Sequence, residues 1–173
     1  MFKGFVLGIL FSIVVALATG YAVVTTGTVP ASAVSGPIWG EDWVAGTDLD
    51  AVLAKEAPKG PNPVPLTDVN LITGIDLFAQ HCAICHGTAK GDASESSIAR
   101  GEYPHPPQLA SEAVEDDPEG YTFWKVKNGI RWTGMPAWGK TLSDEQIWTL
   151  ALFLKHMGKV PPAAEQAWQN VRN

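Results

Sequence analysis

The segment around two cysteines limits the folds that are open to this chain. Cys82 and Cys85 are its only cysteines, and His86 follows the second one directly. Two cysteines so close together do not form the disulfide framework that would hold a chain of 173 residues. The segment therefore carries chemistry, and the rest of the fold has to position it.

Three kinds of site use a C-x-x-C pair. A dithiol redox switch usually accompanies alternating strands and helices, which this sequence does not show. A structural zinc site needs four ligands, and the sequence has no second pair of Cys or His at a fitting spacing. The third kind is covalent haem attachment, for which C-x-x-C-H in an exported protein is the signature.

The spacing of these residues suits a haem held by one face of a helix. Cys82, Cys85 and His86 stand at positions i, i+3 and i+4, which share a face. Both thiols then reach the haem vinyl groups as thioethers, and the imidazole lies under the iron. We predict one covalently bound haem c, with His86 as an iron ligand.

An uncharged apolar run near the N-terminus predicts export. As a helix, residues 4–24 span roughly 31 Å, about one hydrocarbon core. Lys3 before the run predicts a cytoplasmic N-terminus. The alternative is a cleaved signal peptide, since residues 16–18 and 31–33 resemble cleavage sites, although its apolar region is usually roughly 7–15 residues long. We expect residues 1–26 to be a single-pass anchor in a bacterial inner membrane, with the haem domain in the periplasm or an equivalent exported compartment.

The rest of the chain divides into a linker, a domain and a tail. Residues 27–69 are predicted to be an extended linker, because four prolines within 57–66 favour polyproline geometry. A short helix is expected inside it at 48–56. Residues 70–160 form the haem domain, and residues 161–173 follow as a C-terminal tail.

The haem domain is predicted to be all-α. Its helices are expected at 70–84, carrying the cysteines, at 118–128 and at 144–157. Ser143 and Gln146 have the spacing of a capping box at the start of the last helix. No strand pattern of convincing length appears.

The sixth iron ligand has to approach from the face of the ring opposite His86. The candidates are Met135, Met157, His105 and His156. Met135 lies in a loop between two predicted helices, where a core-packing role explains it poorly. Met157 and His156 end the last helix, where packing and a solvated helix end are the expected roles. We predict Met135 as the ligand.

Residues 70–160 resemble the class I c-type cytochromes. The matching residues are the C-x-x-C-H segment, Gly74 and Phe78 before it, Pro107, Gln108 and Leu109, and Met135 with Pro136. The resemblance implies an all-α fold of about three main helices around one haem. It implies that Gly74 and Phe78 pack against Leu150 and Phe153, and that the carbonyl of Pro107 accepts a hydrogen bond from His86.

Together these features predict an electron carrier rather than an enzyme. Iron with two axial ligands leaves no open site for a small-molecule substrate. Trp132 and Trp138 flank Met135 and would exclude water from the haem, while Arg131 either pairs with a haem propionate or is solvated. If Met135 does not bind, the alternative is a five-coordinate haem sensor or a peroxidase-like protein.

The expected partners are redox proteins of a membrane. They are a quinol-oxidising complex, a terminal oxidase, a reaction centre or a membrane dehydrogenase. A net charge of −6 argues against nucleic acid. Trp39 and Trp43 in the linker either lie at the membrane interface or dock a partner subunit. A further alternative is a fixed cytochrome subunit of one large respiratory or photosynthetic complex.

Overall fold

The structure is a computed structural model that describes residues 2–91, 93, 96–112 and 114–172. Within these residues there are seven α-helices, and β-structure is limited to one isolated bridge between Thr88 and Gly91. The all-α prediction is therefore confirmed. The chain divides into two compact units, residues 1–42 and 43–173.

The first unit contains helix α1 (Phe2–Thr25). Its apolar window has a mean hydropathy of 2.3, and none of its side chains is buried within the protein. A helix of 24 residues is about 36 Å long, which is enough to cross a hydrocarbon core. Its length and composition thus match the predicted anchor.

Helix α2 (Glu41–Glu56) begins well before the predicted 48–56. The carboxylate of Glu41 accepts a hydrogen bond from the backbone N–H of Ile38 at 3.0 Å, which ties the helix start to the preceding turn. Acidic residues in the first turn also stabilise a helix, because their negative charge interacts favourably with the positive end of the helix dipole. Leu53 near the other end is buried, so this part of the predicted linker is not an extended chain.

The proline-rich stretch after α2 lies against the haem domain. Asn62 Nδ2 donates to Glu119 Oε1 at 2.8 Å and to the carbonyl oxygen of Trp148 at 3.0 Å. The carbonyl of Pro58 occupies the space where a side chain at Gly120 would stand. The prolines predicted an extended linker. The stretch is instead attached to the folded domain, because the side-chain amide of Asn62 donates to both of these acceptors.

The described part of the chain after residue 67 is built from four longer helices and one short one. They are α3 (Asp68–His81), α4 (Ala83–His86), α5 (Glu119–Asn128), α6 (Asp144–His156) and α7 (Pro162–Asn170). The capping box of Ser143 and Gln146 at the start of α6 is confirmed. Helix α5 is followed by Gly129, whose positive φ of 68° is a conformation that glycine adopts at least cost.

Helix α7 was not expected, since residues 161–173 were assigned to a tail. Trp168 is 4% exposed, and its ring meets those of Phe78 and Phe153 edge-on at 5.6 and 5.1 Å. The rings of Phe78 and Phe153 are themselves 5.6 Å apart in the same arrangement. The C-terminal segment therefore completes an aromatic core that joins α3, α6 and α7.

Helices α3 and α6 approach closely at Gly74. A Cβ at this position would lie 2.7 Å from Phe153 Cβ and 2.7 Å from the carbonyl oxygen of Thr149. The expected contact with Phe153 is confirmed. The backbone of Thr149, rather than the side chain of Leu150, is the second contact, although Leu150 is buried in the same core.

Replacing Gly74 by Ala should destabilise the protein by about 1–3 kcal/mol, because the new methyl group has no room between the helices. The matched change Gly46→Ala in α2 meets nothing within 4 Å and should be stabilising by about 0.5–1 kcal/mol. Denaturant unfolding of both variants measures the difference. Equal unfolding free energies would show that α3 and α6 are not in close contact.

Candidate haem site

The C-x-x-C-H segment lies at a break between two helices. The predicted end of helix 70–84 is wrong. Helix α3 ends at His81, directly before Cys82, whose φ is −119°. The carbonyl oxygen of Cys82 accepts from the backbone N–H of Cys85 at 3.1 Å and of His86 at 2.9 Å. The turn is therefore close to helical, and α4 carries the second cysteine and the histidine.

Both thiols are free and protected from ionisation. Burial, with the nearby Cys85 adding to it, raises the pKa of Cys82 to about 12. Burial, followed by the charge and hydrogen bonding of Glu102, raises the pKa of Cys85 to about 11. A redox dithiol works through a thiolate with a lowered pKa, which neither thiol has. In the part of the chain that the structure describes, no three His, Cys, Asp or Glu side chains form a metal-binding cluster.

The imidazole of His86 is oriented by a backbone carbonyl. Its Nδ1 lies 2.8 Å from the carbonyl oxygen of Pro107, as the resemblance implies. A carbonyl only accepts, so Nδ1 carries the proton and donates it, and Nε2 keeps its lone pair. This tautomer is the one that a metal-binding histidine needs, and the bond fixes the plane of the ring.

Gln108 holds this carbonyl loop to the cysteine segment, a role that sequence reasoning missed. Its buried side chain accepts from the backbone N–H of Ala93 at 2.6 Å, and it donates to the carbonyl oxygens of Cys85 at 3.1 Å and Pro106 at 2.8 Å. The backbone N–H of Leu109 also reaches the carbonyl oxygen of His86 at 3.2 Å. The sequence feature that could have indicated this role is a polar residue, Gln108, between Pro107 and the apolar Leu109.

Met135 lies in a loop that is closed by backbone hydrogen bonds. Its carbonyl oxygen accepts from the N–H of Ile130 at 3.3 Å, and its own N–H donates to Thr133 Oγ1 at 3.0 Å. A Cβ at Gly129 would lie 2.7 Å from the carbonyl oxygen of Met135, so the loop folds tightly against the end of α5. The Met135 side chain is half-buried at the edge of the core.

The other candidates for a sixth ligand are placed differently. Met157 is 4% exposed and belongs to the hydrophobic core. His156 Nδ1 lies 2.8 Å from the carbonyl oxygen of Leu152 within α6. His105 is exposed.

The aromatic residues that flank Met135 differ in burial. Trp138 is half-buried against the core, and its ring lies 5.0 Å from that of His81 at the end of α3. Trp132 is 87% exposed and has a φ of 60°, which is uncommon for a bulky residue. Arg131 beside it is exposed as well.

The cysteine segment and the methionine loop meet at one carboxylate. Glu102 Oε1 lies 3.5 Å from Cys85 Sγ. The same carboxylate fills the space where a side chain at Gly134 would stand, directly before Met135. The fold thus brings together the two parts of the chain that were expected to bind one haem.

Residues 70–154 match the family model described as cytochrome c oxidase, cbb3-type, subunit III. This segment is a class I c-type cytochrome domain. The resemblance stated from the sequence is confirmed, and such a domain implies covalently bound haem c. Neither the curated proteins nor the solved structures gave a match to the chain.

The residues of the cytochrome domain fit this cofactor. It offers two thiols one turn apart and an imidazole whose Nδ1 is bonded to a backbone carbonyl, which leaves Nε2 for a metal ion. The match ends at residue 154, within α6, so Trp168 and the linker residue Asn62 contact the domain from outside the matched segment.

Replacing Gln108 by Ala should lower the unfolding free energy of the cytochrome domain by about 1–3 kcal/mol, because buried backbone groups lose their partners. Gln80, which is exposed near the end of α3, provides the matched control. Gln80→Ala should change stability by less than about 0.5 kcal/mol. Denaturant unfolding decides, and an equal effect of the two variants would contradict the role given to Gln108.

Proposed function

We propose that this chain is a membrane-anchored monohaem c-type cytochrome that passes single electrons between membrane redox complexes on the exported face. The observation that carries the proposal is the C-x-x-C-H segment, in which the Nδ1 of His86 is bonded to Pro107 and two thiols lie one turn apart. When bound, haem c supplies a one-electron ferric–ferrous couple.

Different residues of the chain have different roles in binding that cofactor. Cys82 and Cys85 would hold it covalently, and the Nε2 of His86 would be one ligand of its iron. Met135 would be the second protein ligand, which is supported by its half-buried place in a tightly closed loop. Thioether sulfur is a soft donor that favours ferrous iron, so this ligand raises the reduction potential.

With His86 and Met135 both bound, the iron would have no open position for a substrate. The protein is therefore proposed to be a carrier and not itself an enzyme. Trp138 supports this assignment, since its half-buried ring beside His81 reduces access of water to the loop of Met135. Arg131, which is exposed, is proposed to pair with a haem propionate.

The membrane location rests on α1. An exposed apolar helix of 24 residues lowers its free energy by entering a bilayer. Lys3 places the N-terminus in the cytoplasm, so the cytochrome domain lies in the periplasm or an equivalent compartment of a bacterial cell. There it meets quinol-oxidising complexes, terminal oxidases, reaction centres or membrane dehydrogenases.

The family match favours a second, narrower candidate, a fixed cytochrome subunit of a terminal oxidase. The exposed side chains of Trp39 and Trp43 suit this role, since tryptophans are common anchors of protein interfaces. Purification in mild detergent distinguishes the two. A fixed subunit copurifies with the oxidase in constant ratio, whereas a mobile carrier separates from it.

Replacing both Cys82 and Cys85 by Ala should abolish covalent haem while the protein still enters the membrane fraction. The reason is that no other residue of the chain can form the thioethers, since these are its only cysteines. Haem staining after denaturing electrophoresis measures attachment. Haem that stays on the double variant would refute the proposed attachment site.

Replacing Met135 by His should keep the iron six-coordinate and lower the reduction potential, because imidazole stabilises ferric iron better than a thioether does. The control is Met157→Leu, a packing change in the core that should cost less than about 1.5 kcal/mol. Redox titration and the ferric methionine–iron absorption band are the measurements. A band that survives Met135→Leu but is lost in Met157→Leu would exclude Met135 as the ligand.

A further inference from the structure

We infer that Glu102 lowers the reduction potential of the haem by holding a negative charge at the point of covalent attachment. This inference rests on the proposed function, because it concerns the same cofactor. Neither the C-x-x-C-H motif nor the family match assigns a role to this residue.

The first observation is the position of the carboxylate. Glu102 Oε1 lies 3.5 Å from Cys85 Sγ, the atom that would form one thioether bond to the haem. Only the carboxyl end of Glu102 has to stay where it is for its charge to lie next to the site of attachment.

The second observation is the space that the chain leaves for this carboxylate. A Cβ at Gly134 would lie 2.5 Å from Glu102 Cδ and 2.8 and 2.9 Å from its two oxygens. These are the three nearest atoms, and Gly134 does not have a left-handed φ. The carboxyl end of Glu102 thus lies between Cys85 and the residue before Met135.

The position of this charge determines the sign of its effect. Oxidation adds a positive charge at the iron, so a nearby carboxylate stabilises the ferric state and lowers the potential. Glu102 is half-buried, so water and salt screen it less than an exposed carboxylate. Among the described residues, the ion pairs join other side chains and leave Glu102 without a cation. Its effect opposes that of Met135, which raises the potential.

The test compares neutral and charged replacements in the full-length, haem-loaded protein in detergent. Glu102→Gln and Glu102→Ala should both raise the midpoint potential, while Glu102→Asp should remain closer to the wild-type value. The matched control is Glu145→Gln, which removes an exposed charge from the first turn of α6. The methionine–iron band should persist in every variant.

An unchanged potential in either neutral variant that takes up haem, or an equal rise in Glu145→Gln, would overturn the inference. A wild-type protein without covalent haem would instead overturn the proposed function. The two failures are therefore distinguishable.

A double-mutant comparison tests the contact between Glu102 and Gly134. Gly134→Ala has room for its methyl group when the flexible end of Glu102 moves away, so it should raise the midpoint potential with little loss of stability. In a Glu102→Ala background the same change should leave the potential unaltered. A rise of equal size in both backgrounds would show that Glu102 does not lie at Gly134, and the inference would be overturned.

Discussion

The contact between α3 and α6 at Gly74 is the constraint on which the haem site depends. Because Gly74 has no side chain, the two helix backbones approach until Phe153 and the carbonyl of Thr149 meet it. Helix α3 continues from this contact to His81, and the cysteine segment begins directly after it. Edge-on aromatic contacts of Phe153 with Phe78 and Trp168 pack around the same crossing, so the candidate attachment site follows a helix that is fixed in the core.

Around this rigid crossing, the site itself is held mainly by polar contacts between loops. The plane of His86 depends on the Pro107 carbonyl, and the Pro107 loop depends on the buried amide of Gln108. Loss of the Gln108 amide would leave the buried backbone groups that it pairs with without compensation. Such an arrangement favours one orientation of the His86 ring over a range of nearby ones.

The sequence predicted the parts of the fold that local patterns control. The capping box at Ser143 depends on neighbouring residues, and it is present as expected. The break at Cys82 and helix α7 were not predicted, since they depend on packing against other elements. The same holds within the site, where motifs indicated His86 and Pro107 but gave no hint of Glu102, which comes close to Cys85 and Gly134 only after the chain has folded.

Residues beyond both ends of the matched segment contribute to the cooperative unfolding of the domain. Asn62 binds the domain from before α3, and Trp168 fills its aromatic core from after α6, yet both lie outside the segment 70–154 that matches the family model. We therefore expect the cooperative unfolding unit to be longer than the segment that matches the family model. Cutting the chain at residues 70 and 154 would expose Phe78 and leave the Trp148 carbonyl without its Asn62 partner. The unfolding transition of such a fragment should be broader than that of the whole domain.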